Sequence, residues 1–160
     1  MHTPLRSTIL ALFTTLLVVG CSHEPTSRAA LESDFKSEYG FSPSAQITTL
    51  RCKIVVVGDT WSKWMLFTYD EPTVTQITSA GFTKATPAEL NNPWGSNWAQ
   101  DLFPSQPNPN APEWFHSPDR GIKVPLVYYK LGHPNDYAGY KVIWIDETNK
   151  TVYAASAAWH

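Results

Sequence analysis

The chain has 160 residues, a formal charge of −2, and a composition that is 42% hydrophobic, 13% aromatic and only 16% charged. That balance is too apolar for a disordered polymer and points to a folded domain. No basic block occurs anywhere, which makes nucleic acid and anionic headgroups poor candidates for electrostatically recognised partners.

Taken from its start, the chain reads as an export leader: Arg6 in a short polar segment, an apolar run from Ile9 to Val19, then Val18-Val19-Gly20-Cys21. The aliphatic residues let the segment enter a membrane as a helix. Gly20 leaves room for a peptidase at the bond before the cysteine. The apolar run of eleven residues is well short of the roughly 20 that span a bilayer, so a retained transmembrane helix is not expected. A buried N-terminal helix is the structural alternative. The pattern is that of a lipobox, with Cys21 Sγ receiving diacylglycerol after residues 1–20 are removed. The multiple acyl chains of a processed lipoprotein give lasting attachment where a single chain does not. The lipid bilayer, reached through acylated Cys21, is thus an expected partner.

About 140 residues remain after such cleavage, a usual size for one domain. Ser22 to Arg28 are polar and include Pro25, so residues 21–28 read as the lipidated cysteine and a flexible tether. Residues 29–160 are expected to form the domain. Ser27 can cap a helix whose inward face is Leu31 and Phe35, and Gly40 can end it. From Ile47 to Val57, Leu50, Cys52, Ile54 and Val56 alternate with polar residues, as in a half-buried strand. Gly58-Asp59 supplies a turn, and Trp61 to Tyr69 a partner strand.

Glu71 is expected to cap a second helix, with Pro72 first inside it, Val74 and Ile77 facing inward, and Gly81 as the left-handed stop. Thr86-Pro87-Ala88-Glu89 has the form of a capping box, but Pro93 limits any helix there to about two turns. From Asn91 to Gly121 the regular pattern lapses into prolines and aromatic rings. Strands resume at Val124 to Leu131, Tyr137 to Asp146 and Thr151 to Trp159, joined by segments rich in turn formers. Tyr140, Val142 and Trp144 alternate with Ile143 and Ile145, so the middle segment is apolar on both faces and reads as a central strand. These elements predict an α+β domain. Its antiparallel sheet has about five strands, a hairpin plus a C-terminal three-stranded meander, with one to three short helices on one face.

The lipobox, the helix ending in Tyr39-Gly40-Phe41, the Asp70-Glu71-Pro72 helix start, the proline and tryptophan loop, and the closing Asp146 to Tyr153 hairpin together resemble small uncharacterised bacterial lipoproteins. The likeness runs over most of the mature chain. It implies a small periplasmic α+β domain and brings no catalytic residue and no cofactor with it.

The signatures of familiar chemistry are missing: no G-x-S-x-G elbow, phosphate-cradling glycine loop, H-E-x-x-H or C-x-x-C occurs. The two cysteines leave no internal disulfide once Cys21 carries lipid, and no cysteine-pair zinc site. Cys52 alternates with core residues and reads as an inert buried thiol. The densest polar group is Glu113, His116 and Asp119, whose spacing of three could converge as a carboxylate–histidine acid/base pair or on a metal. Two prolines nearby disfavour a shared helical face, and solvated groups or turn caps explain the same residues. No metal or cofactor is otherwise implied.

Trp94, Trp98, Trp114 and Phe115 form a candidate binding platform for an envelope protein or glycan, since rings give large contact area for little lost entropy. The alternative is that they fold back to cover the sheet, because contiguous exposed rings are uncommon on soluble proteins. The leading expectation is therefore a noncatalytic binding or structural module of the cell envelope. The alternative is a small periplasmic hydrolase or metal-dependent enzyme using Glu113, His116 and Asp119. Ser22, not an aspartate, follows the lipobox cysteine, which in a two-membrane bacterium directs the protein to the outer membrane, facing the periplasm.

Overall fold

Ser27 begins the first helix, α1 (Arg28–Tyr39): its backbone is extended, its hydroxyl accepts a hydrogen bond from the Ala30 N–H, and Gly40 closes the helix at φ 83°. A side chain at such a φ would be strained, so glycine suits the stop. The structure, a computed structural model, describes residues 20–91, 109–115, 126–132 and 139–159. The expected leader before Gly20, together with Trp94, Trp98, His116, Asp119, Val124 and Tyr137, lies outside the described residues.

Strand β1 (Cys21–His23) precedes α1, and β2 (Leu50–Val57) and β3 (Thr60–Thr68) follow it as the expected hairpin. Gly58, at φ 62°, makes the tight turn between them. Helix α2 (Glu71–Ser79) is capped by Asp70. This corrects the expectation for Glu71: Asp70 has the extended backbone of a cap, and its shorter side chain accepts from the Thr73 N–H. Beyond the helix come β4 (Thr83–Lys84), α3 (Pro87–Asn91), β5 (Leu126–Leu131), β6 (Gly139–Asp146) and β7 (Thr151–Trp159). The capping box at α3 forms as the sequence spells it, with the Glu89 N–H donating to Thr86 Oγ1 and Glu89 Oε2 accepting from the Thr86 N–H.

All seven strands described join one antiparallel sheet in the order β1-β2-β3-β7-β6-β5-β4. The expectation of about five strands thus falls short by two short edge strands. β1 holds three residues and β4 two, too few to show a periodicity, and both are exposed. Strand β7 lies between β3 and β6 and so fuses the N-terminal hairpin to the meander. Its Ala154, Ala155 and Ser156 are small and buried, which lets bulky neighbours close over the middle of the sheet. Gly139, starting β6, serves the same close approach: a Cβ there would stand 2.6 Å from the Ala157 carbonyl oxygen.

Alternation sorts the side chains onto two faces. On one, Leu31 and Phe35 of α1 and Val74 and Ile77 of α2 pack against Leu50, Cys52, Met65, Phe67, Ile143, Ile145 and Val152. On the other, Trp64, Val127, Val142, Trp144 and Tyr153 are covered by Ala85, Leu90 of α3, Trp114 and Phe115. The helices therefore do not all lie on one face. The chain turns at Gly81, φ 85°, runs along the sheet edge as β4 beside β5, and emerges on the far side as α3.

Candidate functional site

Three places gather the side chains that chemistry would use. The first is the expected lipid attachment site. Cys21 is exposed and pairs in register with Val56, with Ser22 against Val55 and His23 against Ile54. The segment read as a tether is therefore docked on the sheet. Pro25 is buried, and Glu24 Oε1 accepts a 2.8 Å hydrogen bond from Trp114 Nε1 while lying 3.6 Å from Arg51 Nη2.

The second place is the described part of the aromatic segment, residues 109–115. Phe115 is buried and meets Tyr153 edge-on with ring centroids 5.8 Å apart; Tyr153 in turn stacks on Trp144 at 4.3 Å and 4°. Trp114 is half-buried, with the Arg51 guanidinium 5.0 Å from its ring centroid. These two rings cover the sheet in the manner of the fold-back alternative. Glu113 is exposed, and its proposed partners His116 and Asp119 lie outside the described residues. Among the described residues no group of three His, Cys, Asp or Glu could hold a metal ion.

The third place is a buried polar cluster under α1 that the sequence reading passed over. Register sets Lys63, Ser156 and Lys141 side by side on the α1 face, because Lys63 pairs with Ser156 and Ser156 with Lys141. The two lysines are two strand spacings apart, roughly 10 Å between backbones, and one carboxylate spans them. Glu38 Oε2 lies 2.8 Å from Lys63 Nζ and Oε1 lies 2.8 Å from Lys141 Nζ. Lys141 Nζ also donates to the Glu38 carbonyl oxygen at 2.9 Å, satisfying one of the carbonyls left open in the last turn of a helix. Glu38 and Lys63 expose only 6% and 11% of their side chains. Burial alone would raise the Glu38 carboxyl, but Lys141 and Lys63 together outweigh it and hold it below its ordinary value.

Beside this cluster, Cys52 is wholly buried, and its thiol is pushed up to about 12 by burial first and then by the charge of nearby Asp34. A thiol so held is no nucleophile near neutrality, which agrees with the inert role read from its alternation. The cavity bounded by Glu38, Tyr39, Lys63 and Lys141 measures about 10 Å³, the threshold for a single water molecule. It has no room for a substrate, so the cluster holds α1 on the sheet. A signal for it did exist in the sequence. Lys63 shares the core register of Met65 and Phe67, Lys141 that of Ile143 and Ile145, and Glu38 stands seven residues after Leu31 on the inward face of α1.

No family model, no curated protein and no solved structure matches the chain. Among the described residues no helix is long and apolar enough to cross a membrane.

Proposed function

We propose that the chain is a lipoprotein anchored to the cell envelope through acylated Cys21 and acting there as a noncatalytic binding or structural module. The observation that carries this reading is the placement of Cys21. The lipobox cysteine heads an exposed edge strand, where an acyl anchor is sterically free, while the buried cluster of Glu38, Lys63 and Lys141 joins helix to sheet. The expected location is the outer membrane, with the domain facing the periplasm and an envelope protein or glycan as its partner.

Intact-mass analysis of the full-length gene product extracted from bacterial membranes tests the anchor. The expected mass is that of the chain from Cys21 onward plus its lipid, found in the outer-membrane fraction. Cys21→Ala should give an unacylated precursor or a form released from the membrane. A wild-type mass without lipid would overturn the reading.

A further inference from the structure

Every strand of the sheet has one end at the turn between β2 and β3 or across from it. Cys21 is at that end, opposite Val56. So are Thr60 and Trp159, which pair with each other, and Leu131, which pairs with Tyr140 near the start of β6. The large hydrophobic residues exposed among the described residues are Val56 at 39%, Val57 at 42% and Leu131 at 58%, and all three lie at this end. Trp61, half-buried, joins Ile54 and Val56 in lining an open concavity of about 340 Å³ there, rimmed by Lys63.

The opposite end has a different character. Asp70 and Glu71 follow β3, Asp146 ends β6, and Glu147 begins the turn after it, with Lys150 as the cation of that turn. Asp146 Oδ1 is engaged by the Thr148 and Asn149 N–H groups, and Asp70 by Ser44 and Thr73, so both carboxylates are fixed there. Among the described residues the sheet is thus polarised along its strands, with the exposed aliphatic side chains at the Cys21 end, beside Asp59, and a group of carboxylates at the other.

We propose that the hairpin-turn end of the sheet seats on the bilayer, with Val56, Val57 and Leu131 meeting the boundary between headgroups and acyl chains. This rests on the acylation of Cys21 proposed above. No length of free chain separates Cys21 from the sheet: paired with Val56, its Cα stands roughly 5 Å from β2. A glyceryl thioether adds only a few bonds, so the acyl chains leave the protein beside the exposed valines. Seating removes those side chains from water, and each buried methylene contributes about 0.8 kcal/mol toward it. It also turns the acidic end away from the lipid phosphates. Asp59, the carboxylate of the turn itself, remains in headgroup water. Because the contact is apolar, it needs no anionic lipid.

The test uses the full chain, acylated in bacteria and reconstituted in phosphatidylcholine vesicles that carry headgroup-level nitroxide lipids. A fluorophore is attached at Val57→Cys or, at the acidic end, at Thr148→Cys; both positions are exposed, and Cys52 stays buried and unlabelled. The expected result is several-fold stronger lipid quenching at position 57 than at 148, with position 57 shielded from aqueous iodide. Equal quenching in protein whose intact mass includes the lipid would overturn the seating and leave the anchor standing. A mass without lipid would overturn the anchor and the seating with it. Shielding from iodide without lipid quenching would mean that protein covers the turn, and would also overturn the proposal.

Discussion

Glu38 stands where a helix meets two strands that are not neighbours, and its two oxygens reach one lysine each. A buried pair of charges adds little over apolar packing of equal volume, yet removing one member leaves the others uncompensated. Glu38→Ala should therefore cost about 3–5 kcal/mol, with Lys63→Ala more damaging than Lys141→Ala because the Lys141 side chain is 38% exposed. Acid reveals the same linkage. In the unfolded chain the carboxyl titrates near 4.5, and in the folded chain below it, so the unfolded state takes up protons first. The stabilisation is complete above the ordinary value and is lost as pH falls through the folded one. Cys52 acts at the other extreme: its thiol keeps its proton in the fold up to about 12, whereas the unfolded thiol ionises near 9.0, so stability also declines from that pH upward. Urea midpoints measured across pH should fall on both sides. In Glu38→Ala the acid-side fall should be shallower, and an unchanged acid slope would refute the role given to Glu38.

At the scale of the element, local chemistry and burial agree in most places. Strand β6 is apolar on both faces, the pattern of a central strand, and it lies inside the sheet between β7 and β5. Trp144 is buried there, stacked on Tyr153 across the β6–β7 pairing. Trp144→Ala should cost about 3–5 kcal/mol through the lost ring and the cavity left behind. A thermal melt near the wild-type value would show that the ring is not part of the core. Strand β2 departs from its pattern partway along. Leu50 and Cys52 are buried as their alternation predicts, but Val56 on the same register is exposed. The core under α1 includes Leu50, Cys52 and, in part, Ile54, and by Val56 β2 has run past it.

For the whole molecule, the ordering of strands decides what must fold together. Because β7 joins β3 to β6, the hairpin and the rest of the meander become one sheet only through the last strand, and cooperativity should be highest there. Native-state hydrogen exchange should find the slowest amides in β3, β7 and β6, opening only with global unfolding. The two edge strands, β1 and β4, should exchange fastest through local fraying. Early exchange in β7 would mean that the hairpin and the meander unfold independently. The same ordering places the expected lipid site, the exposed valines and Leu131 at one end, so the polarity along the strands is a property of the assembled sheet and of no single segment.

The sequence by itself determined what depends on neighbours a few residues apart. The spacing of Leu31 and Phe35, the Ser27 cap and the Gly40 stop define α1; the alternation in β2 and the turn at Gly58 define the hairpin; Thr86 and Glu89 define the start of α3. The burial of Cys52 and of Trp144 followed from the same periodicities. What only the tertiary structure decided involves partners far apart in the chain. Nothing local tells β3 to pair with β7 some ninety residues later, tells Glu38 that it will find Lys141, or sends α3 to the opposite face from α1. Those outcomes depend on how completely two preformed surfaces cover each other, which a window of a dozen residues does not contain. The supposed tether shows the difference at its sharpest. Its polar residues and proline read as solvated chain, yet Cys21 to His23 form an edge strand because β2 offers unpaired backbone groups, and Glu24 beyond them meets Trp114.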